Sequence, residues 1–226
     1  MDKNIFISDQ FNTWKLCKKR YYFKYIKGLN LPEFENNFKL GKSVHALINY
    51  HLRGFSVENL LENTDENIKN TWNTIKNHSI LNNKVIVTEW TFNSKIKGLK
   101  YWLNGRIDAV FYDENQKKYI IADWKTGQNI PKDPDNSFQC MMYLYSFYNA
   151  RKDLRLEFEQ KDLIFEYIKI SDKVEIYKVA YSKEKEQDFE KVFVNMINEI
   201  EAEKDFKPML PCSMRNCQYK NLCIKS

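Results

Sequence analysis

Apolar positions along this chain follow two spacings, and each change from one to the other marks a new element. From Ile7 to Lys27 they return every three or four residues, which predicts a helix with Ser8 or Asp9 as its cap and Gly28 as its stop. A second helix is predicted from about Phe34 to Leu52, turning Val44, His45, Leu47 and Ile48 inward, and Val57 to Ile75 reads as one or two amphipathic helices. After the Asn82-Asn83 turn the pattern changes. Val85 to Phe92, Tyr101 to Tyr112 and Lys118 to Trp124 are dense in β-branched and aromatic residues, as strands are. Gly98 and the cluster Asp113-Glu114-Asn115-Gln116 interrupt these runs where hairpin loops belong, so the three strands are predicted to form an antiparallel meander. A helix from about Ser137 to Arg151 follows, then strands over Leu163 to Ile170 and Val174 to Ala180, a long helix from about Lys183 to Lys204, and an irregular tail. This order predicts an α/β fold: a central mixed β-sheet flanked by helices, with an amino-terminal helical region.

Length and composition narrow the organisation. At 226 residues with 43% hydrophobic content, six Gly and five Pro, residues 1–226 are read as a single domain. Residues of about 53–82 form a helical insertion within it, and about 206–226 a cysteine-bearing tail. No apolar run approaches the length of a membrane span and no leader pattern opens the chain, which predicts a cytoplasmic protein with no membrane partner. The net charge of +6 suits a polyanionic partner without requiring one.

Several polar residues sit where the apolar pattern makes them costly. Asp108 falls inside the run Tyr101 to Tyr112, and Asp123 and Lys125 close the run that begins at Lys118. A strand's period of two puts Asp123 and Lys125 on one face, and a buried unpaired carboxylate destabilises a fold, so a divalent cation held between Asp108 and Asp123 is the economical reading. Gln139 and Tyr143, four apart on the next helix, share a face that can look onto the same place. Hard cations on carboxylates assist phosphodiester hydrolysis, with the Trp124 carbonyl as a further oxygen ligand and Lys125 orienting or deprotonating water.

Four segments together resemble the PD-(D/E)XK nuclease superfamily, and within it the RecB-type exonuclease branch that includes AddB nuclease domains and CRISPR-adaptation nucleases. They are Gly41-Lys42-Ser43-Val44-His45, Gly105-Arg106-Ile107-Asp108, Asp123-Trp124-Lys125-Thr126-Gly127 and Gln139-Cys140-Met141-Met142-Tyr143, in the family's order. The resemblance implies a restriction-endonuclease-like core. It also implies a metal site of His45, Asp108, Asp123 and Trp124, and catalytic roles for Asp108, Asp123, Lys125, Gln139 and Tyr143. An imidazole in an oxygen site admits Mn²⁺ beside Mg²⁺. Glu89 matches an acidic position of the family on the first strand, as a support or second-metal residue.

Five cysteines at uneven spacing do not read as a disulfide framework; metal or cluster ligation is the better question. Some members of the RecB-type branch hold a 4Fe-4S cluster with one amino-terminal and three carboxy-terminal cysteines, which here implies Cys17, Cys212, Cys217 and Cys223, with Zn²⁺ as the alternative occupant. Cys212 stands five positions before Cys217, where the family has three, and Met214 takes that place. Cys140 reads as a buried apolar thiol. Lys18, Lys19, Arg20, Lys24 and Lys27 interleave with Tyr21, Tyr22, Phe23 and Tyr25, chiefly as core aromatics with a solvated basic face.

The resulting expectation is a metal-dependent DNA nuclease, an exonuclease in recombination, repair or CRISPR adaptation. A structure-selective endonuclease such as a junction resolvase, or an idle nucleic-acid-binding module, are the alternatives. No phosphate-binding Gly-x-x-x-x-Gly-Lys-Ser/Thr loop is present, so the chain is expected to load at ends or single strands, or beside a helicase, recombinase or CRISPR-adaptation partner.

Overall fold

The β-branched runs pair into one six-stranded sheet. The computed structural model describes residues 4–29, 31, 38–126, 130–209 and 217–224. Strands β2 (Lys84–Lys95), β3 (Trp102–Asp113) and β4 (Lys118–Thr126) form the predicted antiparallel meander. β5 (Leu163–Ile170) joins β4 in parallel after the chain crosses through helix α6 (Phe138–Ala150), and β6 (Val174–Ala180) returns antiparallel to β5.

A short strand that periodicity did not reveal, β1 (Ile5–Phe6), lies parallel to the start of β3. Two residues carry no readable alternation. β2 pairs along nearly all of one edge of β3, so β1 and β4 must share the other: β1 at Trp102 and Leu103, β4 only from Ala109 to Asp113. On that edge Asn104 to Asp108 have no strand partner. The sheet therefore forks, and the fork opens beside Asp108.

Helices cover both faces. On one side α1 (Ser8–Leu16), α6 and α7 (Lys183–Ala202) bury Phe11, Leu144, Phe147 and Phe193 with Leu103, Ile107 and Phe165 of the sheet. On the other, α3 (Phe38–Leu52) and α5 (Glu66–Ile75) bury Val44, Ile48, Trp72 and Ile75 against Phe111, Ala122, Trp124 and Ile168. α4 (Glu58–Glu62) links α3 to α5. α6 is apolar nearly all round because it is sandwiched between sheet and helices, and Cys140 is fully buried within it, its thiol pKa pushed up by that burial. Ser137 caps α6 by accepting from the Cys140 amide at 3.2 Å.

The amino-terminal helix differs from expectation. α1 begins at Ser8, the capping position is Ile7, and the Gln10 side chain accepts from the Ile7 amide at 2.8 Å, so neither Ser8 nor Asp9 caps it. The helix breaks at Cys17, whose backbone is extended, before α2 (Lys18–Tyr21) continues into a π-helical turn over Tyr22–Ile26. Periodicity is blind to a one-residue break that keeps the apolar face in register. No helix among the described residues is long and apolar enough to cross a membrane.

Candidate active site

Asp108 occupies the one place where side-chain alternation on β3 reverses. Leu103 and Ile107 pack towards α6, but Ala109 and Phe111, of the same parity, pack towards α3. Across from the reversal, Glu89 on β2 adopts φ +50°, a left-handed backbone uncommon outside glycine. The irregularity re-aims Asp108 into the fork, as bulges beside functional sites do. On β4 alternation holds: Ala122 and Trp124 face α3, which leaves Asp123 and Lys125 facing α6.

The predicted side chains meet there. Lys125 Nζ lies 2.7 Å from Asp123 Oδ2 and donates to Gln139 Oε1 at 2.9 Å. Gln139 Nε2 donates to Asp123 Oδ1 at 2.7 Å and reaches the Tyr143 hydroxyl at 3.2 Å. Tyr143 in turn donates to the main-chain carbonyl of Arg106, fastening α6 to the stretch of β3 that carries Asp108. From the opposite helix layer, His45 Nε2 donates to the Trp124 carbonyl at 2.9 Å while Nδ1 stands 3.4 Å from Asp108 Oδ2. Asp108 Oδ2 also accepts from the Trp124 amide at 3.0 Å.

Two glycines permit these approaches. A Cβ on Gly41 would lie 3.1 Å from Thr126 Oγ1, so α3 comes close to the end of β4 and brings His45 into reach. A Cβ on Gly105 would lie 2.6 Å from the Phe92 ring and 3.3 Å from that of Tyr143.

Burial and charge set the protonation states. Asp123 is 2% exposed, and that burial pushes its carboxyl up to about 6, with Lys125 opposing the rise and Asp108 adding to it. Burial alone would lower the His45 pKa, but its contact with Asp108 and the charges of Asp108 and Asp123 outweigh this and raise it. Burial raises Glu89 as well, against the pull of Arg106. Tyr143 is held neutral by burial. All these groups line one cavity of about 660 Å³, together with Lys42, Asn49 and Thr126. A buried carboxylate raised well above its ordinary range, with a lysine beside it in one cleft, marks a candidate functional site.

Residues 9–224 match the sequence profile of the PD-(D/E)XK nuclease superfamily. The chain belongs to the PD-(D/E)XK nuclease superfamily. No curated protein matches the sequence significantly. Among solved structures, one from Eubacterium rectale described as a "putative exonuclease" superposes with a TM-score of 0.56 at 12% identity, covering 100% of this chain and 89% of that one. A second, SSO0001, is 16% identical over 88% of this chain and 78% of that one, with a TM-score of 0.41. The first shares the fold of this PD-(D/E)XK chain; the second likeness is too weak to show as much.

Nucleases of this superfamily typically use divalent metals such as Mg²⁺ or Mn²⁺. Among the described residues no three His, Cys, Asp or Glu side chains stand close enough together to hold an ion by themselves. The potential donors that line the cavity are mixed: the Asp108 and Asp123 carboxylates, His45 and, with the Trp124 carbonyl, one main-chain oxygen. Asp123 Oδ2 is buried and makes no directed hydrogen bond, its contact with Lys125 being an ion pair outside hydrogen-bond geometry. An oxygen-rich set that includes such an atom has the chemistry that suits a hard divalent cation.

The cysteines are placed less closely. Cys17 is buried, Cys217 and Cys223 are partly exposed, Cys212 lies outside the described residues, and the three described thiols form no group that could hold a metal. The two chain ends do meet: Tyr219 donates to the Leu29 carbonyl at 2.7 Å and stacks on Phe23 at 5.6 Å. Tyr21 and Phe23 are buried as expected, and Lys24 and Lys18 are engaged by Asp9 and Glu203.

Two contacts had no sequence signal. Lys125 Nζ sits 5.5 Å from the centroid of the buried Tyr167 ring, whose hydroxyl bonds Ser137, the cap of α6. Arg106 Nε is 2.9 Å from Glu89 Oε2 at the cavity mouth. The first depends on the parallel register of β4 and β5 across α6, the second on the register of the β2–β3 hairpin.

Proposed function

We propose that this chain is a metal-dependent deoxyribonuclease of the RecB type, hydrolysing phosphodiester bonds and acting as an exonuclease. The observation that carries the reading is Asp123: a buried carboxylate flanked by Lys125 and Gln139 and facing Asp108 across the sheet fork. Asp108, Asp123, the Trp124 carbonyl and His45 would hold Mg²⁺ or Mn²⁺, which when bound supplies charge neutralisation at phosphate and a more acidic water. Lys125 places its side-chain nitrogen beside the reacting phosphate and orients the attacking water, with Asp123 and Gln139 fixing its position. Gln139 and Tyr143 hold α6 against β3, so the two carboxylates keep their spacing. His45 orients the Trp124 carbonyl from the opposite layer.

Digestion of end-labelled linear DNA with Mn²⁺ or Mg²⁺ tests this, with Asp108→Ala and Lys125→Ala alongside. Loss of cleavage in both variants supports the reading; equal cleavage by all three proteins refutes it. Circular single strands and four-way junctions, run in parallel, separate an exonuclease from a junction-selective endonuclease. A helicase, recombinase or CRISPR-adaptation partner would supply ends to a chain that carries no nucleotide-binding loop. Some members of the RecB-type branch join their chain ends with a 4Fe-4S cluster, which here would fall to Cys17, Cys212, Cys217 and Cys223, with Zn²⁺ as the alternative occupant. The contact of Tyr219 with Phe23 and Leu29 brings the two ends together, while the three described thiols form no group that could hold a metal. Anaerobic purification with visible absorption and iron and zinc analysis decides it.

A further inference from the structure

We infer that the outer face of the β2–β3 hairpin is a track for single-stranded nucleic acid, leading from the cavity mouth at Arg106 out to Trp102. The inference rests on the nuclease reading for what happens at the inner end, and on separate geometry for the track itself.

Opposed residues on paired antiparallel strands share a face, and here the register sets Arg106 against Thr91, Asn104 against Asn93, and Trp102 against Lys95. Side-chain contacts show that these residues stand on one surface. Arg106 meets Glu89, Asn104 Nδ2 donates to Asn93 Oδ1 at 2.8 Å, and Lys95 Nζ lies 5.9 Å from the Trp102 ring centroid. The other face of the same strands is core, with Leu103, Ile107 and Phe92 buried. Trp102 is 38% exposed, and the Arg106 side chain is 64% exposed while also lining the catalytic cavity.

The chemistry of this face matches a single strand better than a duplex or a protein. A ring available for stacking suits an unpaired base, and sequence-neutral amides suit sugar and phosphate oxygens. Cations at both ends suit a polyanion that continues into the cleft. Among the described residues Lys95 forms no ion pair, and Arg106, although its Nε meets Glu89, keeps a side chain 64% exposed at the cavity; Lys24 of the amino-terminal basic stretch is only 21% exposed and held by Asp9. Continuity with the cavity gives direction: bases rest on Trp102 while the strand's leading phosphate passes Arg106.

The test is fluorescence anisotropy in chelator, so that binding is read without cleavage. Labelled oligothymidylates of two, four, eight and twelve nucleotides are compared with a blunt duplex. Affinity of the unaltered protein is expected to climb with length until the strand reaches Trp102, and to exceed that for the duplex. Trp102→Ala raises Kd for the longer strands roughly 5- to 150-fold, the range that stacking of one base spans. Trp102→Phe, which keeps a stacking ring, stays within a few-fold of the unaltered protein. Lys95→Ala lowers the slope of log K against log salt by about 0.7. Lys173→Ala, in the distant β5–β6 turn, serves as the charge control. Tighter binding of duplex than of oligothymidylate, or Trp102→Ala and Lys95→Ala curves that overlay the unaltered protein, overturns the track. Should Trp102→Ala fail to fold, Lys95→Ala and its salt slope decide alone. Protein that binds through Trp102 yet cuts no labelled DNA counts against the hydrolase reading only, and protein that cuts but is indifferent to both substitutions counts against the track only.

Discussion

The Trp124 amide donates to Asp108 Oδ2 at 3.0 Å just beyond the point where β3 and β4 cease to pair. The bond takes the place of a ladder contact: the strand carrying Asp123 and Lys125 is tied to the strand carrying Asp108 by a side chain, so the fork opens without setting its arms loose. In the proposed reaction, structure and chemistry would therefore draw on the same carboxylate.

Two substitutions at Asp108 separate these roles. Asp108→Asn keeps an oxygen for the Trp124 amide but removes the charge; it should fold almost as well as the unaltered protein while cleavage falls by about a thousandfold or more, a loss of several kcal/mol of transition-state stabilisation. Asp108→Ala strands a buried N–H and should cost roughly a further 1–3 kcal/mol of stability. Urea unfolding and end-labelled digestion measure the two effects independently. Asparagine and alanine variants of equal stability would show that the amide is satisfied elsewhere.

Gln139 is the hinge between the amine and the carboxylate, accepting from Lys125 and donating to Asp123. Gln139→Leu fills similar space but releases both. Partners that orient ligands typically contribute ten- to a hundredfold, so a fall of about that size in kcat, with a weaker Mn²⁺ activation constant, is the expected result. An unchanged activation constant would confine Gln139 to holding Lys125.

Asp123 makes stability depend on pH in an unusual direction. Burial lifts its carboxyl to about 6 from 3.8, so the folded protein holds this proton more tightly than the unfolded chain. Between about 4 and 6, raising the pH therefore withdraws stability. His45 acts in the same sense: its raised pKa gives a contribution fully present below 6.5 and lost as pH climbs through the folded value. In chelator, the urea midpoint of Asp123→Asn should gain on that of the unaltered protein as pH rises from 4 to 7. Mn²⁺, which favours the ionised carboxylate, should narrow the gap again. A gap that does not move with pH would mean that Asp123 stays ionised throughout.

The legible parts of this molecule were those written in local spacing. The limits Leu163–Ile170 and Val174–Ala180 agree residue for residue with the alternating runs, because both strands are bounded by polar turns. Asp123, Lys125, Gln139 and Tyr143 could be grouped in advance because each pair sits on one element at a fixed period. What stayed hidden depends on distant pairing. β1 is too short to show a period, the reversal at Asp108 needs the Glu89 backbone opposite it, and Tyr167 reaches Lys125 only through the parallel register of β4 and β5. The extended residue at Cys17 escaped for another reason, since Trp14 and Tyr21 still face one core on either side of it.

Gly105 tests whether packing beneath the site governs its geometry. An added methyl there would meet the Phe92 ring at 2.6 and 2.9 Å, and Phe92 is 3% exposed, wedged between Trp90 and Tyr143 at ring separations of 5.8 and 5.7 Å. The ring has no solvent to retreat into. Gly105→Ala should therefore destabilise the protein by about 1–3 kcal/mol, the usual scale for overpacking. It should also push Tyr143 off the Arg106 carbonyl, lowering kcat beyond what the stability loss explains. Phe92→Leu relieves the clash, so the double variant should recover part of both losses, giving a coupling energy of roughly 0.5–3 kcal/mol in a double-mutant cycle. Additive losses would show that the Gly105 backbone, rather than the ring stacked over it, sets the position of Asp108.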